Sequence, residues 1–262
     1  ALLMYITGNN SVPLRTNINI PKYNGQSLFM PAYSEQLNMS GIKIVSLFPN
    51  NLAQGKPSVL GQMLLIDGTN GEVCAMMDGT YLTELRTGAL QGAATDILAR
   101  KDAKSALLIG SGGQAAMQIE ALLNVRDLDE IKVYGIDFNQ VQEFVRKMQE
   151  RFTQFRTQII AVDNCDEAVQ NTDIITTVTT SKKPVFNGNL VRPGTHINGI
   201  GAYTPEMQEL PESIIHAADK IIFDTSDGVL AEAGDILIPI QKGILKASGC
   251  DGELGEVILG SI

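Results

Sequence analysis

Gly110-Ser-Gly-Gly-Gln-Ala115 is the segment whose residue types and spacing speak most directly of chemistry. In a Gly-x-Gly-x-x-Ala pattern, Gly110 permits the tight turn out of a strand and Gly112 lets backbone approach a pyrophosphate. Small Ala115 lets the following helix pack on the sheet, and that helix presents its N-terminus to the anion. Ser111 and Gln114 lie in the same turn and belong to the same expected phosphate cradle. An acidic residue about 20 positions on should hold the adenosine ribose. The nearest carboxylate after Ile131-Lys-Val-Tyr134 is Asp137. No arginine occupies 136 or 137 to grip a 2′-phosphate, which favours NAD, while Lys132 and Arg146 keep NADP open.

Three cations are the other candidates. Lys43 lies in Gly41-Ile-Lys-Ile-Val-Ser-Leu-Phe48, with Val45 and Leu47 on its own face of a strand. A lysine there either snorkels to solvent at the strand end or is a desolvated ammonium of lowered pKa suited to proton transfer; periodicity leaves both readings open. Arg86, in Leu85-Arg-Thr-Gly-Ala89, and Arg15, after Val12-Pro-Leu14 in an expected loop, could each fork onto a carboxylate or stand on the surface. His196 and His216 fit no triad; His196, on an apolar strand, reads as structural or cofactor-side. Cys74, Cys165 and Cys250 have no metal-ligand or disulfide spacing, so neither a metal nor a disulfide framework is expected and a reducing cytoplasm fits.

The elements that must position these residues fall into two patterns. Strand-like runs at 28–30, 42–48, 59–66 and 73–77, the last two joined by the turn Asp67-Gly-Thr-Asn-Gly71, make the first third mainly β. A helix over 80–99 follows, with Leu82, Leu85, Ala89, Ala93 and Ile97 as its expected buried stripe. Beyond Arg100-Lys-Asp-Ala-Lys104, strands at 105–109, 131–134, 157–162, 174–178, 195–200 and 220–223 alternate with helices, clearest at 114–125 and 139–152. The expected fold class is therefore α/β, a Rossmann-type doubly wound parallel sheet preceded by an α+β domain.

Composition agrees with a folded, water-exposed chain: 44% hydrophobic and 19% charged residues, 25 Gly and 10 Pro. The formal net charge of −9, with no basic block, argues against nucleic acid and anionic membrane as partners. The opening Ala1-Leu-Leu-Met-Tyr5 reads as the end of a helix under way, so sequence before residue 1 is expected.

Several segments together resemble the ornithine cyclodeaminase/μ-crystallin family. They are Pro13-Leu-Arg-Thr16, Phe29-Met-Pro-Ala32, Gly41 to Asn50, Met77 to Ala89, the 110–115 turn, Thr176 to Ser181, Gly194-Thr-His-Ile-Asn-Gly-Ile-Gly201 and Glu253-Leu-Gly-Glu256. The resemblance implies a dimeric enzyme with residues 1–100 as substrate and dimerisation domain, 101–245 as NAD(P) domain and 246–262 as the start of a return segment. It implies a missing first helix and further sequence after 262. Arg15 and Arg86 would bind a substrate α-carboxylate, Lys43 would be the catalytic lysine, and Thr87 would contact cofactor phosphate. Thr177, Thr179 and Ser181, with Asn198 nearby, would line the nicotinamide side. The implied chemistry is hydride transfer at the Cα–N bond of a small amino or imino acid, with NAD the expected cofactor and NADP the alternative. Ornithine cyclodeaminases proper are similar to one another in a Gly-Gly-Asp segment; here Tyr203, in Gly201-Ala-Tyr-Thr-Pro205, stands where that carboxylate aligns. Tyr203 thus enters the candidate catalytic set, and an imino-acid reductase or small amino-acid dehydrogenase fits better than ornithine cyclodeamination to proline. The rival reading is a μ-crystallin-like small-molecule binder without turnover.

Overall fold

The computed structural model describes residues 2–246 and 248–262. It divides into two compact units: Ala1–Arg86 with Gly255–Ser261, and Thr87–Leu254 with Ile262. The division falls inside a helix rather than at the polar junction after residue 100.

In the first unit, helix α1 (Leu2–Thr7) precedes strands β1 (Asn10–Ser11), β2 (Thr16–Ile20), β3 (Gly25–Ser34), β4 (Met39–Leu47), β5 (Val59–Asp67) and β6 (Val73–Asp78), after which helix α2 (Gly79–Leu98) begins. β3 to β6 form an antiparallel meander in sequence order, while β1 and β2 pair with opposite ends of β3. The hairpin between β5 and β6 forms as expected, with the Asp67 carboxylate accepting the Thr69 N–H at 2.8 Å and Gly71 at φ +81°. β2 was not legible as a strand: Thr-Asn-Ile-Asn-Ile has four exposed residues and little apolar signal, and its strand pairing with β3 is what orders it. Arg15 consequently sits at the mouth of a strand and not in a free loop.

The second unit is built on β7 (Ser105–Ile109), α3 (Ala115–Val125), β8 (Glu130–Tyr134), α4 (Phe138–Arg151), β9 (Gln158–Ala161), α5 (Cys165–Gln170), β10 (Ile174–Thr177) and β11 (His196–Gly199). Its five strands are parallel in the order β11-β10-β7-β8-β9. The chain runs outward from β7 through β8 and β9, then returns to β10 on the other side, so the strand order reverses beside β7. Alternating side chains fill both faces: Ala106, Leu108, Ile131 and Val133 pack with α3 and α4 residues, whereas Leu107, Ile109 and Ile175 pack with Ala168, Val169 and Phe186. The expected α4 stripe, Val141, Phe144, Val145, Met148 and Phe152, lies in the first of these clusters.

Two expectations are corrected. The sixth strand does not join the sheet: among the described residues β12 (Ile222–Phe223) pairs with β13 (Gly252–Glu253) alone. The buried stripe of α2 is also different, since Leu85 and Ile97 are exposed and the buried face carries Gly88, Gln91, Gly92 and Thr95. The reason is close helix packing on α3. A Cβ at Gly88 would stand 2.6 Å from the Met117 carbonyl oxygen, and one at Gly92 would stand 3.2 Å from the Ala121 Cβ. Arg126, only 7% exposed, closes the C-terminal end of α2 by donating to the carbonyls of Thr95 (2.7 Å), Ala99 (2.8 Å) and Arg100 (3.1 Å).

Candidate active site

In the first unit, Lys43 occupies the middle of β4, in register with Met30 on β3 and Met63 on β5, and Met63 in turn pairs with Met77 on β6. The lysine therefore stands in a row of thioethers across four strands, a polarisable apolar setting that solvates an ammonium poorly. Gly41, two residues earlier on the same face, leaves room for the Met63 side chain, whose methyl would be 3.1 Å from a Cβ there. Burial, with the Arg86 and then the Arg15 guanidinium adding repulsion, brings the Lys43 pKa down from 10.5 to about 8. Lys43 is half-buried on β4, and the Arg86 and Arg15 charges both act on it, which places the three cations in one electrostatic neighbourhood. Arg86 reaches it from the second turn of α2, whose first N–H groups, those of Thr80 and Tyr81, both donate to the Asp78 carboxylate at 2.9 Å. An ammonium with two guanidinium groups in its field is an arrangement that would suit an anion, and planar guanidinium groups suit a carboxylate.

In the second unit, the Gly110 turn leaves β7 with φ +116°, a conformation that requires glycine, and a Cβ there would lie 2.6 Å from the Val178 carbonyl oxygen. The Gly110 N–H donates to the Tyr134 carbonyl at 2.8 Å, tying the turn to the end of β8. Ala115 is fully buried, and its N–H donates to the Gly112 carbonyl at 3.0 Å. Gly112 faces open space: an added Cβ would meet nothing within 4 Å. Ser111 is half-buried beside Gly135, and Gln114 is the N-cap of α3 without a side-chain cap bond. The N-termini of α4 and α5, by contrast, are capped by Asp137 and Asn164. An uncapped helix N-terminus behind an open glycine, at the point where the strand order reverses, fits a dinucleotide phosphate. Asp137 lies three residues past the end of β8, as the N-cap of α4, with one carboxylate oxygen already accepting the Gln140 N–H at 3.1 Å.

The residues expected near a nicotinamide are more deeply engaged within the protein than their sequence suggests. Thr177 is fully buried and its hydroxyl donates to Glu209 at 3.1 Å. The Thr179 hydroxyl accepts the Ser181 N–H at 3.1 Å, and the Ser181 hydroxyl donates to the Lys183 carbonyl at 2.6 Å. Asn198 is 7% exposed; its amide donates to Thr95 at 3.0 Å and its carbonyl oxygen meets His196 Nε2 at 3.0 Å. Burial pushes the His196 pKa down to about 4, so the ring is neutral and serves as a strut in this network. Thr87, half-buried on α2, is the first residue of the second unit, next in the chain to Arg86 of the first. Tyr203 is half-buried in the loop after β11. Sequence reasoning missed two fully or nearly buried acids, Glu209 and Asp235, because neither sits in a periodic segment or a recognisable motif. Among the described residues no group of three or more His, Cys, Asp or Glu side chains could hold a metal ion, and no helix is long and apolar enough to cross a membrane.

The parallel sheet order, the glycine turn and the uncapped α3 define an α/β protein of the dinucleotide-binding class joined to an antiparallel β unit that carries a cation cluster. The ornithine cyclodeaminase/mu-crystallin family model matches residues 1–262, and the chain belongs to that family. It is 36% identical over 260 residues to a Delta(1)-pyrroline-2-carboxylate reductase of Bacillus cereus, covering 99% of this chain and 79% of that one. An alanine dehydrogenase of Archaeoglobus fulgidus is 34% identical, with 99% and 77% covered. The solved structure of Thermococcus litoralis Delta(1)-pyrroline-2-carboxylate reductase in complex with NADH and L-proline superposes with a TM-score of 0.93 at 38% identity, over 99% of this chain and 79% of that one.

Proposed function

We propose that the protein is an NAD(P)-dependent enzyme that reduces a small cyclic imino acid of the Delta(1)-pyrroline-2-carboxylate type to the corresponding amino acid, and oxidises it in reverse. The observation that carries this reading is the place of Lys43, half-buried in the middle of β4 between Met30 and Met63 and within the field of Arg86 and Arg15, a setting that lowers its pKa toward neutrality. A pure binder gains nothing from a costly lysine, whereas proton transfer near neutral pH needs one. Similarity to reductases and dehydrogenases acting on C–N bonds supports the same chemistry.

In this reading Arg15 and Arg86 clamp the substrate carboxylate, and Lys43 delivers the proton that the imine nitrogen takes up as Cα is reduced. When bound, the nicotinamide supplies the hydride to Cα. Gly110, Ser111, Gly112, Gln114 and Ala115 hold the pyrophosphate, with Thr87 on a cofactor phosphate and Asp137 on the adenosine ribose. Thr177, Thr179, Ser181 and Asn198 shape the nicotinamide end. Tyr203, lacking the negative charge of the aspartate it replaces, gives no ion pair to a substrate δ-amine, which favours a cyclic imine over ornithine. The domain roles follow: substrate and dimer contacts in the N-terminal domain, cofactor in the Rossmann domain. A homodimer is supported by exposed apolar side chains on the first unit, among them Val59, Leu60, Val73, Met76, Tyr81 and Leu85, which a second copy would cover. Three free cysteines fit a cytoplasmic setting.

The test is oxidation of NADH or NADPH followed at 340 nm with Delta(1)-pyrroline-2-carboxylate, beside a sample holding L-ornithine and a trace of NAD in which ammonia and proline are measured. Stoichiometric oxidation in the first sample is expected; ammonia and proline without net redox in the second would overturn the reductase reading. Arg86→Gln should lower kcat/KM by about 100-fold while the NADH Kd stays within about twofold. Full activity in that variant would remove the clamp.

A further inference from the structure

We propose that Glu209 is a positioning residue for the dinucleotide site, holding the loops after β10 and β11 in the shape that receives the nicotinamide half; the proposal rests on the cofactor reading above. Glu209 is fully buried. One carboxylate oxygen accepts the Thr179 N–H at 2.5 Å, and the other accepts the Gly201 N–H at 2.6 Å and the Thr177 hydroxyl at 3.1 Å. One side chain thus terminates two neighbouring strands of the sheet. Its own segment is anchored in turn. The N–H groups of Glu209 and Leu210 both donate to one oxygen of buried Asp235, at 2.6 and 2.8 Å, and the Glu209 carbonyl accepts the Val185 N–H at 2.9 Å.

The packing around it is tight enough to transmit position. A Cβ on Gly201 would collide with the backbone of Thr179 and come within 2.7 Å of the Glu209 carboxylate, so the two loops touch through backbone. On its far side, the loop after β10 leans on the phosphate turn, where the Val178 carbonyl lies against Gly110. Residues 178–181 are therefore gripped between Gly110 and the Gly201–Glu209 pair. A shift in Glu209 acts directly on the loop on the nicotinamide side of the glycine turn, whereas β8 and Asp137 lie on the other side of β7 and supply none of Glu209's three donors. An apolar residue could fill the same space but would leave two part-buried N–H groups without their acceptor, whereas a carboxylate offers enough acceptor directions for all three donors. Burial raises the carboxyl pKa, and the bonds from Thr179 and Gly201 oppose that rise.

Glu209→Gln keeps the shape and turns one acceptor oxygen into an NH2 that must face the N–H of Thr179 or of Gly201. Two probes separate the halves of the site: NADH, followed by its fluorescence, and ADP-ribose, which lacks the nicotinamide, followed by calorimetry. The NADH Kd should rise about tenfold in the variant, while the ADP-ribose Kd stays within about twofold. Equal weakening of both probes, or no change in either, overturns the positioning role. If Glu209→Gln does not fold, Thr177→Val removes one donor without opposing dipoles; a smaller shift confined to NADH is expected, and an unchanged NADH to ADP-ribose ratio overturns the proposal. Wild-type protein that binds neither probe refutes the cofactor reading itself, which the variant comparison leaves distinct.

Discussion

Replacing Lys43 by methionine should yield a protein that is more stable and inert. The folded state holds the Lys43 pKa at about 8, against 10.5 for an ordinary lysine. At pH 7 the side chain is still mostly charged, so folding carries the cost of placing that charge among three methionines and beside two guanidinium groups. A shift of this size corresponds to about 3 kcal/mol for a fully buried group; Lys43 is only half-buried, and solvent screening brings the expected cost nearer to about 1 kcal/mol. Methionine removes it and packs beside Met30 and Met63 with little change of volume. The pH dependence has a definite sign. Between pH 8 and 10.5 the unfolded chain binds the proton that the folded chain has lost, so wild-type stability climbs relative to the variant across that window. The advantage of Lys43→Met is therefore full below pH 8 and gone near 10.5. Urea unfolding followed by circular dichroism at pH 7 and pH 10 reads the difference directly, and turnover should fall by more than about 100-fold. A variant no more stable at pH 7, or a gap that does not close at high pH, would show that Lys43 is not the desolvated group described here. Retained turnover would remove it from the chemistry.

Two further outcomes follow from the second unit. Gly110→Ala should cost about 1–3 kcal/mol, because it forces an alanine to φ +116° with its Cβ against the Val178 carbonyl, whereas Gly112→Ala, whose methyl meets nothing, should keep stability within about 0.5 kcal/mol and still lose NADH affinity more than about tenfold; equal behaviour of the two variants in thermal melts and NADH titration would contradict the assignment of Gly112 to a ligand. Arg126→Met should destabilise the fold by about 3 kcal/mol in urea unfolding, since it orphans the buried carbonyls of Thr95 and Ala99, and a neutral effect would mean that water replaces the guanidinium there.

What the sequence disclosed, and what it hid, follows from which forces act locally. The β7 to β11 sheet was readable because its central strands β7 and β10 are short runs buried on both faces, because helices with a 3.6-residue stripe lie between the strands, and because the glycine turn carries its own conformational demand. The α2 stripe misled because the helix packs on α3 through glycines and buries Gln91 and Thr95, while Leu85, Ile97 and Leu98 stay outside, a choice made by long-range close approach and not by periodicity. β2 was invisible because its five residues gain order from pairing with β3, with almost no apolar burial of their own.

The functional groups divide along the same line. Lys43 could be suspected from sequence because a cation in an apolar run is locally anomalous, but its pKa is a property of its surroundings, Met30 of β3, Met63 of β5, Arg86 of α2 and Arg15 just before β2. Periodicity could place it on a face; only the assembled sheet decides between snorkelling and desolvation. Glu209 shows the opposite case. It follows the unpatterned stretch Thr204-Pro-Glu-Met-Gln208, and nothing nearby marks it, because its three donors lie 8, 30 and 32 residues away. A buried carboxylate of this kind is specified by the orphan N–H groups that strand ends leave behind, so it becomes visible only when the ends of β10 and β11 have been brought side by side. The same reasoning accounts for Asp235, which satisfies the N–H groups of Glu209 and Leu210. Acids placed by such backbone demands cluster where parallel strands end, which in a doubly wound sheet is also where ligands bind, and that coincidence is the physical reason a residue with a structural signature can govern a functional site.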